Sequence, residues 1–80
     1  MRSPMTTDEV KALIEQGVPD AVVEVSDLTG TGDHFRADVT STAFEGVPMI
    51  QRHKMVYAAL GELVGGPIHA LQLFTKTPKP

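Results

Sequence analysis

The apolar pattern of this chain changes period three times, and that succession restricts it to few folds. From Met5 to Gly17 the spacing is helical. Thr6 and Glu9 stand at the positions of a capping box, with Met5 and Val10 at those of a hydrophobic staple. Val10, Leu13, Ile14 and Gly17 then give the i, i+3, i+4, i+7 stripe. The pattern predicts a helix from about Thr7 to Gln16, with Gly17 as C-cap and Pro19 preventing continuation. Residues 1–5 are expected to be a tail, residues 6–78 the domain, and residues 79–80 a second tail.

The period then falls to two. Ala21 to Leu28 is β-branched and partly alternating, with Ala21, Val23 and Val25 on one face. Thr29-Gly-Thr-Gly-Asp33 has turn chemistry, with two glycines free to adopt positive φ. A second strand is predicted from His34 to about Thr42, with Phe35, Ala37 and Val39 on one face. Helical spacing returns after Pro48, which suits a first turn. Met49, His53, Val56, Leu60 and Leu63 would share one face, and Gly65-Gly66-Pro67 would end the helix. Ile68 to Thr75 reads as a last strand. The order α-β-β-α-β implies an α+β fold: a hairpin, a crossover strand, and helices on one face of a three-stranded sheet.

Composition removes whole classes of function. The 80 residues include no cysteine, which excludes disulfides, a thiolate nucleophile and a self-sufficient cysteine-ligated metal centre. Apolar runs are too short to span a membrane, and the first residues lack a signal-peptide core, so a cytoplasmic location is expected. The net charge of −3 is uneven: residues 1–45 hold three basic and nine acidic residues, residues 46–80 four and one. Such asymmetry can orient a partner, but it is not the strongly basic character of a nucleic-acid-binding domain. No Ser–His–Asp or paired-carboxylate arrangement stands out, so catalysis is not expected.

Three blocks carry a resemblance. Phe44-Glu-Gly46 is followed by Gln51-Arg-His-Lys-Met-Val-Tyr57 and then Leu60. Pro67-Ile-His-Ala-Leu71 leads to Thr75-Lys-Thr-Pro78, and Gly32-Asp-His-Phe35 opens the second strand. In this order they resemble the signature of the BolA family, across roughly residues 6–78. The resemblance implies a class II KH-like fold with an optional C-terminal helix. It also implies a monothiol glutaredoxin partner of the Cys-Gly-Phe-Ser type and a 2Fe–2S cluster held jointly. In such a complex glutaredoxin and glutathione supply thiolates, and the BolA-like chain supplies a histidine from the Ile-His-Ala block with a second ligand near the first hairpin. Members of the family act in iron-status signalling and cluster trafficking.

Carried onto this chain, His69 is the expected first ligand. The hairpin loop has neither cysteine nor histidine, which leaves His34 as the second. The chain ends at Pro80, before the Trp and final helix that usually follow Thr-Pro, so that helix is expected to be absent. Each histidine also has an ordinary reading, His69 as a half-buried strand residue and His34 as a hairpin surface residue. His53, within the apolar stripe, reads as a packed, hydrogen-bonded structural residue. Thr29, Gly30, Thr31, Gly32 and Asp33, with Arg52 and Lys54, are expected to form the partner surface. Two other functions remain open: a KH-like nucleic-acid-binding regulator, and a metal-free module binding glutaredoxin or a second copy of itself. Against the former, no Gly-x-x-Gly is present.

Overall fold

The computed structural model describes residues 5–78. Most of the residues expected to be tails, 1–4 and 79–80, lie outside them. The elements run α1 (Thr7–Gly17), β1 (Val22–Asp27), β2 (His34–Thr40), a 3-10 turn (Thr42–Phe44), α2 (Met49–Leu60), a second 3-10 turn (Gly61–Leu63) and β3 (Ala70–Lys76). The sheet order is β1-β2-β3. β1 pairs antiparallel with β2, and β3 pairs parallel with β2, in the register His34↔Ala70 to Thr40↔Lys76. The fold is α+β, as expected. No helix among the described residues is long and apolar enough to cross a membrane.

The capping box of α1 forms. The Thr6 hydroxyl accepts the Glu9 N–H at 3.1 Å, and the Glu9 carboxylate accepts the Thr6 N–H at 2.8 Å. Met5 is half-buried against the core, so packing begins one residue before the expected boundary. Val10 and Ile14 from α1, Val23 from β1, Phe35, Ala37 and Val39 from β2, and Val56 and Leu60 from α2 form one buried cluster with Val18, Phe44 and Ile68. Alternation along β2 therefore points Phe35, Ala37 and Val39 at the helices and His34, Arg36 and Asp38 away from them.

Several details differ from the sequence reading: β2 ends at Thr40, before a 3-10 turn, β3 runs from Ala70 to Lys76, and both helices end differently. Gly17 is the last residue of α1 and Val18 its cap, in extended conformation. A Cβ on Gly17 would lie 2.3 Å from the Ala59 Cβ, so this glycine admits α2 to α1 and does not serve as a left-handed cap. Pro48 caps α2 from outside, and the helix stops at Leu60 because Gly61 takes φ 62°. The buried face of α2 is therefore shorter than the expected stripe. Met49 stays 55% exposed, its sulfur accepting the Thr75 hydroxyl at 3.2 Å.

Gly17→Ala is expected to destabilise the domain by about 1–3 kcal/mol through overpacking of the α1–α2 contact. Urea unfolding measures it. Adding Ala59→Gly should recover part of the loss, although glycine in a helix costs about 1 kcal/mol by itself. No loss on Gly17→Ala would contradict the packing role.

Candidate metal and partner site

Parallel pairing starts β2 and β3 at the same end of the sheet. The residue before β3 is His69, and the first residue of β2 is His34. Their ring centroids lie 5.1 Å apart with the planes inclined at 57°. His69 is exposed and His34 half-exposed. The structure thus brings together the two histidines that the sequence singled out.

The hairpin loop is organised from its first residue. The Asp27 carboxylate accepts the backbone N–H groups of Thr29 at 3.3 Å, Gly30 at 3.0 Å and Gly32 at 2.9 Å. That wrapped turn needs Gly30 at φ 74° and Gly32 at φ 77°, a left-handed conformation that residues with a side chain rarely adopt. The Leu28 N–H, bonded to the His34 carbonyl at 2.8 Å, closes the hairpin. Within the loop the Thr29 and Thr31 hydroxyls are bonded, and the Thr31 hydroxyl donates to Asp33 Oδ1. The same Oδ1 lies 2.8 Å from His34 Nδ1.

Asp33 also holds the other strand. Its backbone carbonyl accepts the N–H of His69 at 2.7 Å and of Ala70 at 3.1 Å. The hydrogen bond from Thr31, then that from His34, hold the Asp33 carboxyl below its usual value of 3.8; the nearby imidazoles add to this, and partial desolvation opposes it.

The remaining expected partner residues lie elsewhere. α2 runs back from the finishing end of β3, where Met49 meets Thr75, toward its starting end. Arg52, in the first turn, is therefore at the opposite end from the histidine pair. Its Nε donates to the Val47 carbonyl at 2.8 Å, and its guanidinium lies 5.8 Å from the Phe44 ring centroid. Lys54 is exposed on the same helix. The loop and the Arg52/Lys54 region are two surfaces, because a crossover helix must run antiparallel to the strands it joins. His53 is half-buried, outside the core cluster, and no hydrogen bond of its side chain is found among the described residues. It flanks the core and is not the hydrogen-bonded core residue expected.

The donor set fits a shared centre and not a private one. Among the described residues no group of three or more histidine, cysteine, aspartate or glutamate side chains is placed to hold a metal ion. Two adjacent, accessible imidazoles are competent iron ligands, but they leave coordination positions for another molecule to fill.

Comparison with known proteins agrees with the residue blocks. The family model described as BolA-like protein matches residues 10–80. The chain belongs to the BolA-like family. It is 37% identical over 76 residues to human BolA-like protein 1, covering 86% of this chain and 56% of that protein. It thus spans little more than half the length of that relative. The structure of a BolA homologue from Coxiella burnetii matches with a TM-score of 0.78 and 41% identity, covering 92% of each chain. The BolA domain of SufE1 from Arabidopsis thaliana matches with a TM-score of 0.78 and 26% identity, over 90% of this chain and 91% of that one.

In this BolA-like domain the sequence reading missed the part played by Asp33, which it treated only as loop surface. The available signal was the run Thr31-Gly-Asp-His34, which sets a hydroxyl and a carboxylate directly before a candidate ligand. The Asp33 carboxyl should titrate below 3.8 in carboxyl 13C NMR, and Thr31→Val should raise it. Because folding lowers this pKa, the associated stability is present above the unfolded carboxyl value of about 3.9 and is lost as the pH falls through the folded one. An unchanged titration in Thr31→Val would contradict the hydrogen-bond origin.

Proposed function

We propose that this BolA-like chain is a non-enzymatic cytoplasmic adaptor that binds a monothiol glutaredoxin and co-ligates a 2Fe–2S cluster through His69 and His34. The observation that carries this reading is the pair of accessible imidazoles 5.1 Å apart at the shared starting end of β2 and β3. A chain with no cysteine cannot hold such a cluster alone. The partner's cysteine and the thiol of glutathione would supply the ligands it lacks. When bound, the cluster supplies an iron centre of mixed nitrogen and sulfur ligation, and histidine in place of cysteine raises its reduction potential. The chain's own part is to present two imidazoles, to hold them close through the β2–β3 pairing, and to offer the Thr29–Asp33 loop beside them as contact surface.

The nucleic-acid reading gains nothing from these positions. The basic residues of α2 would have to make such a contact, and Arg52 is half-buried with its guanidinium turned toward Val47 and Phe44.

Cluster reconstitution on a monothiol glutaredoxin with glutathione, with and without this protein, tests the proposal. Visible absorption and circular dichroism should change on adding the wild type. His69→Ala should return the spectrum to that of glutaredoxin alone, and His34→Ala should alter it. An unchanged spectrum with no complex formed would overturn the adaptor reading.

A further inference from the structure

His34 is the less conventional of the two candidate ligands, and a histidine can bind a metal only through a nitrogen that carries no proton. Which nitrogen is free is set by what the other one contacts. His34 Nδ1 lies 2.8 Å from Asp33 Oδ1. An ionised carboxylate can only accept hydrogen bonds, so the proton between them resides on Nδ1. The Thr31 hydroxyl donates to the same oxygen, and Thr29 in turn donates to Thr31. The donors therefore run in one direction, toward the carboxylate from both sides. The Asp27 carboxylate holds the loop backbone that keeps this arrangement in register.

We infer that Asp33 is a positioning residue that fixes His34 as the Nδ1–H tautomer and so presents Nε2, with its free lone pair, beside His69. This rests on the adaptor reading for its purpose, though the tautomer is a property of the isolated chain. Ligating histidines commonly donate their second N–H to a carboxylate, which fixes the ring and raises ligand basicity. Asp33 adds a second function to that pattern. Its backbone carbonyl holds the main chain of His69 while its side chain holds the ring of His34, so one residue sets the separation of both imidazoles. His69 shows no side-chain hydrogen bond among the described residues and serves as an internal reference. An unconstrained imidazole in water favours the opposite, Nε2–H tautomer, so loss of the carboxylate should be visible.

The test uses the full chain, 15N-labelled, with long-range 1H–15N spectra of the imidazoles at pH about 8, where an ordinary histidine is neutral. Wild-type His34 should show a protonated Nδ1 and an unprotonated Nε2. Asp33→Ala, which retains the backbone carbonyl, should shift His34 toward Nε2–H and leave His69 unchanged. Asp33→Asn, whose side-chain oxygen can still accept, should preserve the wild-type tautomer. Affinity for cluster-loaded glutaredoxin should fall about 10–100-fold in Asp33→Ala and recover in Asp33→Asn. A wild-type His34 already in the Nε2–H form, or one unmoved by Asp33→Ala, would overturn the inference. So would a tautomer shift with unchanged cluster affinity. Failure of the wild type to form any cluster complex, together with the expected tautomer shift, would refute the adaptor reading while upholding the control of His34 by Asp33.

Discussion

A parallel strand pair requires the chain to travel back across the sheet before the second strand can begin. Here α2 makes that journey from the finishing end of β2, and β3 starts level with the start of β2. The bonds from the N–H groups of His69 and Ala70 to the Asp33 carbonyl fix this alignment at its first step. The pairing of the two histidines follows from it. The two histidines are 35 positions apart in sequence yet adjacent in space, and the hairpin loop that precedes one of them lies next to the turn that precedes the other. The same crossover carries the first turn of α2 to the far end, separating Arg52 from the histidine pair.

Much of the fold was legible because its signals are local. The capping box at Thr6 and Glu9 depends on residues three apart, and alternation along Phe35, Ala37 and Val39 depends on residues two apart. Less legible were features decided by contact between distant elements. Gly17 looked like a helix terminator, since glycine commonly ends helices; only the approach of Ala59 shows that it is needed for close packing. The apolar stripe of α2 was read through Leu63 because periodicity carries no information about where a helix stops. Gly61, with positive φ, stops it three residues sooner. Met49 has the right angular position for burial, but it lies in the first turn and remains exposed.

The site divides in the same way. The Ile-His-Ala and Asp-His-Phe segments identified both histidines, but their proximity depends on strand order, which the pattern of elements left open. Asp33 was hidden for a different reason. Adjacent residues in a strand point to opposite faces, so strand alternation alone argues against contact between the side chains of residues 33 and 34. Asp33 is still part of the loop, where the wrapping of residues 29–32 around Asp27 frees it from that rule. The outcome is a pair of imidazoles held by a hydrogen-bonded loop, short of a complete donor set. On the proposed reading, a partner would have to supply the ligands that this pair lacks.

On the proposed function, the starting end of β2 and β3 is where a partner and its metal centre meet this chain. The most direct measurement is an amide NMR spectrum of the labelled protein bound to cluster-loaded monothiol glutaredoxin, because the paramagnetic centre broadens signals close to it. The Asp33, His34, His69 and Ala70 amide signals should be lost while those of Met49 to Arg52 persist. Broadening confined to the first turn of α2, or none at the histidine end, would contradict it.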